Sequence, residues 1–158
     1  MKRGPTTTPI KVSETKKLAE ALVEKLTSDQ DFQLNKQATV VGLFGDLGSG
    51  KTTFMQFFGE ALGIKEKILS PTFVIEKIYK IDHPKIAEKF DHLVHIDAYR
   101  LDDPNEILVL GWPEILKNSR NLIAIEWADK IAELLPEDHI HIQFSHHDDE
   151  SRVIHFTH

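Results

Sequence analysis

The sequence contains no cysteine. That excludes disulfides and thiolate metal sites, and it suits a cytoplasmic chain. Arginine is scarce, with Arg3, Arg100, Arg120 and Arg152 the only four. Net charge is −6, so a phosphate backbone, which is held by lysine and arginine, is not expected to be gripped by this chain alone. No apolar run approaches the roughly 20 residues that a spanning helix needs. The N-terminal Met1-Lys2-Arg3-Gly4-Pro5-Thr6-Thr7-Thr8-Pro9 carries two basic residues with no apolar stretch behind them, which is not the pattern of a signal peptide. Internal repeats are absent, as is low complexity beyond this Thr-rich leader.

What is present is an ordinary globular balance: 158 residues, 41% hydrophobic and 28% charged, enough for one core. The expected organisation is a flexible leader over 1–9 and a single domain over 10–158. Ile10-Lys11-Val12 reads as a short strand. Leu18, Ala19, Leu22, Val23 and Leu26 then recur at helical spacing, a stripe expected to be core. Thr39-Val40-Val41-Gly42-Leu43-Phe44 is a β-rich apolar run short enough for a buried strand. A helix is expected over Thr52 to Leu62 with Gly63 closing it, and a strand over Phe73 to Ile81. Leu93-Val94-His95-Ile96 ends on Asp97, and Leu122-Ile123-Ala124-Ile125 ends on Glu126. Pro104 to Lys117 is expected to be a helical or irregular insert and Ala128 to Leu135 a short helix. His139 to Phe144 and Arg152 to His158 alternate as two strands of a hairpin at the sheet edge. The pattern predicts a three-layer α/β domain, mainly parallel, with antiparallel C-terminal edge strands.

The strongest signal is Gly45-Asp46-Leu47-Gly48-Ser49-Gly50-Lys51-Thr52, which matches the phosphate-binding loop at every specified position. Its glycines free the backbone so that successive N–H groups can face a phosphate, and the following helix adds its positive dipole end. Asp46, Gly48, Ser49, Gly50, Lys51, Thr52 and Thr53 are the candidate nucleotide-binding residues. Lys51 is expected as an exposed loop charge reaching the β- and γ-phosphates, Thr52 as a hydroxyl ligand of magnesium, and Thr53 as an amide donor to the α-phosphate. A plain glycine-rich turn is the bland alternative; the buried strand before the loop and the amphipathic helix after it favour the phosphate.

Magnesium takes oxygen ligands and keeps water, so a carboxylate at a neighbouring strand end is required. Asp97 and Glu126 both qualify at the carboxyl edge of a parallel sheet. One would hold the metal while the other orients the attacking water, and spacing does not assign the two roles. Either could instead be a solvated strand end. Ser70-Pro71-Thr72 sits where phosphohydrolases keep a loop that senses the γ-phosphate, and it is equally an ordinary turn starter.

These motifs, together with Phe54, Phe73, His95-Ile96-Asp97-Ala98-Tyr99-Arg100 and Glu126-Trp127, resemble the TsaE (YjeE) proteins, bacterial ATPases of tRNA threonylcarbamoyladenosine biosynthesis. The resemblance runs from Ser13-Glu14-Thr15 to the C-terminal hairpin, with Ser49 standing where alanine is frequent and only the pattern matching after Pro136. It implies an accessory ATPase acting with TsaB and TsaD; the shortage of arginines to neutralise phosphate charge makes slow hydrolysis by the lone chain the expectation. By position the resemblance implies Lys51 and Thr52 on phosphate and metal, Thr72 and Asp97 in switch-like segments, Glu126 as metal-linked or water-activating acid, and Trp127 beside the nucleotide.

A small-molecule P-loop kinase is the rival reading, though such enzymes commonly bring arginines over the phosphates and this chain has few. A GTPase is disfavoured because no Asn-Lys-x-Asp follows the loop. His139 and His141 share one strand face and suggest a metal pair. No carboxylate or cysteine joins them at ligand spacing, so a solvated outer face is expected.

Overall fold

The structure, a computed structural model, describes residues 9–28, 36–46, 48–69, 75–146 and 151–157. In chain order the elements are β1 (Pro9–Lys11), α1 (Val12–Ser28), β2 (Thr39–Phe44), α2 (Lys51–Ala61), β3 (Glu76–Lys80), β4 (His92–Asp97), α3 (Trp112–Lys117), β5 (Asn121–Glu126), β6 (Ile140–His146) and β7 (Ser151–Thr157). Two 3-10 helices, Pro104–Leu110 and Ala128–Leu134, complete them.

All six residues of β2 and all six of β5 are buried, as expected of strands covered on both faces. They lie parallel, with Thr39 beside Leu122 and Leu43 beside Glu126. β4 joins parallel on the far side of β5 and β6 parallel on the far side of β2. The full order is β1-β7-β6-β2-β5-β4-β3. β3 and β7 run antiparallel to their neighbours, so five of the seven strands share one direction.

The two-residue period of the strands divides the interior. Val41, Leu43, Leu93, Leu122, Ala124, Ile142 and Phe144 face Ala19, Leu22, Val23 and Leu26 of α1 and Phe54, Met55, Phe58 and Leu62 of α2. Val40, Phe44, Val94, Ile96, Ile123 and Ile125 face Ile107, Trp112, Ala128 and Ile131. Helices thus cover both faces, giving the expected three layers, and the α1 stripe is core.

Two expectations need correction. The C-terminal hairpin is antiparallel but is not the sheet edge, because β1 pairs outside β7 through Ile10 and Arg152. A three-residue strand cannot show a period, so its capacity to extend the sheet was invisible. The short helix expected after β5 is present as the 3-10 helix Ala128–Leu134, which kinks at Ile131, where φ is −127°. Its buried residues Ala128 and Ile131 are three apart, the spacing at which 3-10 side chains stack on one side. His139 and His141 are half-buried, not solvated: the His141 ring stacks on Phe44 with centroids 3.8 Å apart. Burial on that ring lowers the His141 pKa.

Among the described residues no helix is long and apolar enough to cross a membrane.

Candidate functional site

The glycine-rich loop leaves β2 at its carboxyl end, beside the ends of β4 and β5. Gly45 has φ 137°, and a Cβ there would lie 2.3 Å from the Phe144 carbonyl oxygen. Only glycine lets the chain turn this close to β6. Gly50, at φ 103°, is the N-cap of α2. The amides at the start of a helix have no acceptor within it, so those of Lys51, Thr52 and Thr53 are available to an anion alongside the positive dipole end.

Lys51 departs from expectation. It is buried, at 5% exposure, and its ammonium donates back to the Gly45 carbonyl at 2.5 Å and the Asp46 carbonyl at 2.8 Å. The Ser49 hydroxyl lies at 3.3 Å. Desolvation lowers its pKa, while Glu126, Asp129, Asp46 and Asp97 oppose that shift. A long flexible stem lets the charge settle on nearby carbonyls, which a residue pattern does not reveal.

The two strand-end carboxylates are adjacent in register, Asp97 beside Glu126, and both are buried. Their surroundings differ. Glu126 Oε1 accepts the Thr52 hydroxyl at 2.9 Å, and Oε2 lies 2.7 Å from His95 Nε2. Asp97 Oδ1 accepts the Tyr99 amide at 3.0 Å, which bends the chain away after β4. Glu126 is joined directly to the loop helix through Thr52.

Trp127 follows Glu126 at φ 57°, the only non-glycine residue with positive φ among those described. For so bulky a side chain this is a strained conformation of the kind found at functional sites. It sets the indole beneath the Lys51 ammonium, 4.1 Å from centroid to Nζ, and 5.0 Å from the Tyr99 ring. Asp46, Gly48, Ser49, Gly50, Lys51, Thr52, Glu126, Trp127 and Asp97 thus gather at one sheet edge, whereas Ser70-Pro71-Thr72 lies outside the described residues. Sequence reasoning missed the His95 contact. The available signal was its position two residues before Asp97, on the same strand face.

The oxygens of Thr52, Glu126 and Asp97 are the donor type of a hard cation. Among the described residues no three His, Cys, Asp or Glu side chains form a ready cage.

Residues 10–154 match the family described as Threonylcarbamoyl adenosine biosynthesis protein TsaE. The chain belongs to the TsaE family. The Bacillus subtilis tRNA threonylcarbamoyladenosine biosynthesis protein TsaE is 38% identical over 122 residues, 77% of this chain and 71% of that protein. The Rickettsia bellii protein of the same name is 37% identical over 91% of this chain and 88% of its own length. The crystal structure of Bacillus subtilis YdiB superposes with a TM-score of 0.68 at 31% identity, covering 99% of this chain and 86% of that one. A TsaE chain with a complete phosphate-binding loop carries the fold of P-loop nucleotide-binding proteins.

Proposed function

We propose that this chain binds ATP with magnesium and hydrolyses it slowly, as the accessory ATPase of tRNA threonylcarbamoyladenosine formation in the cytoplasm. The observation that carries the reading is the 2.9 Å hydrogen bond from Thr52 to Glu126, which couples the first turn of the loop helix to the acid ending β5. Asp46, Gly48, Ser49, Gly50 and Thr53 cradle the phosphates with backbone amides, and Lys51 exchanges its loop carbonyls for the β- and γ-oxygens. Thr52 with Glu126 or Asp97 would hold magnesium, which would neutralise phosphate charge. Glu126 and Asp97 share the remaining work of fixing the metal's water shell and orienting the attacking water. Trp127 flanks the nucleotide.

Arginine supply bears on rate. Arg120 donates to the Ala87 and Glu88 carbonyls and pairs with Asp91 at 2.8 Å, next to the amino end of β5 and away from the loop. Phosphoryl transfer without a charge-neutralising arginine is slow, and one supplied by a partner accelerates it by roughly 10³ to 10⁵. The proposed partners are the TsaB and TsaD proteins, with tRNA reached only through them, as the net charge of −6 suggests. The test is ATP hydrolysis by the isolated chain and again with TsaB and TsaD, using Glu126→Ala to measure contaminating ATPase. Turnover below about one per second alone, rising with both partners, is the expected result. Fast turnover alone, or indifference to the partners, would overturn it.

A further inference from the structure

We propose that His95 is a positioning residue for Glu126: its Nε2–H holds Oε2 so that Oε1 faces Thr52 and the metal side of the site. The placement follows from register. His95 lies beside Ala124 and Asp97 beside Glu126, so His95 and Glu126 share a sheet face one step apart along the strands. The methyl side chain of Ala124 leaves room for the imidazole to lean toward the carboxylate. His95 is fully buried and Glu126 2% exposed, so no bulk water competes for that carboxylate.

Glu126 accepts one hydrogen bond at each oxygen, 2.9 Å from Thr52 and 2.7 Å from His95. In the proposed arrangement Nε2–H donates and the carboxylate oxygen accepts. The other ring nitrogen, Nδ1, is buried with no partner among the described residues. A leucine here would avoid burying an unpaired nitrogen. Among the described residues the imidazole therefore has one polar contact, and that contact is Glu126. Without it the carboxylate is free to rotate away from Thr52, because a single hydrogen bond at one oxygen does not define its plane.

Resting on the nucleotide reading above, the experiment compares His95→Leu, His95→Gln and the unmodified chain. The readouts are ATP turnover and calorimetric ADP affinity, measured with magnesium and with EDTA. Loss of an outer hydrogen-bond partner of a metal-linked carboxylate costs about 10- to 100-fold, so His95→Leu should lose that much turnover and magnesium-dependent ADP affinity, with EDTA affinity within about twofold. His95→Gln, whose amide can reach the Nε2 position, should recover most of both. A leucine variant equal to the unmodified chain, or a folded glutamine variant as defective as leucine, overturns the assignment. If His95→Leu does not fold, the glutamine variant and the unmodified chain decide. Nitrogen-15 NMR should show a slowly exchanging Nε2 proton on His95, and its absence also overturns the proposal. Failure of the unmodified chain to bind ADP would instead remove the nucleotide reading itself.

Discussion

Thr52 and Glu126, 74 positions apart in the chain, meet through a 2.9 Å hydrogen bond from hydroxyl to carboxylate. The bond ties the start of α2 to the end of β5, so the loop and the acid form one unit. Groups acting as a unit give non-additive losses. Thr52→Val and Glu126→Gln should each reduce ATP turnover by about 10²-fold or more, and the double variant should be little worse than the more damaged single. Multiplicative losses in single-turnover measurements would show that the two act independently.

Lys51→Ala should abolish measurable turnover. It removes an ammonium that is buried against the Gly45 and Asp46 carbonyls, so it also releases the cost of desolvating that charge. The two effects oppose, and thermal melting should shift by only a few degrees. A collapse in melting temperature would mean that Lys51 organises the loop, and retained turnover would reject the phosphate role.

Trp127 contacts Lys51, whereas Trp112 is 3% exposed at the start of α3, inside the apolar cluster against whose surface Trp127 packs. Tryptophan fluorescence should therefore change on adding ADP to Trp112→Phe and stay constant in Trp127→Phe. The reverse pattern would place the nucleotide elsewhere.

Gly59 on α2 lies against Ile68: a Cβ there would sit 2.3 Å from Ile68 Cδ1 and 2.8 Å from Cγ1. Overpacking of this kind costs about 1–3 kcal/mol, more than the ~1 kcal/mol that alanine gains over glycine in a helix. Gly59→Ala should destabilise the chain alone and stabilise it in an Ile68→Ala background. Denaturant midpoints of the four proteins give the comparison, and equal effects in both backgrounds would contradict the packing.

Glu76 begins β3 with Oε2 buried and unpartnered among the described residues, and desolvation raises its pKa above the ordinary 4.5. The folded state thus prefers the protonated acid. Its contribution is full below the unfolded pKa and is lost as pH rises through the folded one. Glu76→Gln should match the unmodified chain at acid pH and melt higher at pH 7. A constant difference across that window would exclude the carboxyl as its source.

The phosphate-binding loop, the two runs ending on Asp97 and Glu126, the core stripe of α1 and the α/β class were all legible in the amino-acid order. Each is a local pattern: a loop, a helical period, or an apolar run with a carboxylate at its end. Register is not local. That His95 stands beside Ala124, and so reaches Glu126 rather than solvent, follows from how β4 pairs with β5. The outward position of β1 beyond β7 depends on a pairing across some 140 residues of chain, which three residues cannot announce. The same holds for Lys51, whose side chain fits several arrangements by length alone. Burial beneath the site and the carbonyls of Gly45 and Asp46 selected one of them, because a buried charge takes whatever partners the surrounding fold brings within reach.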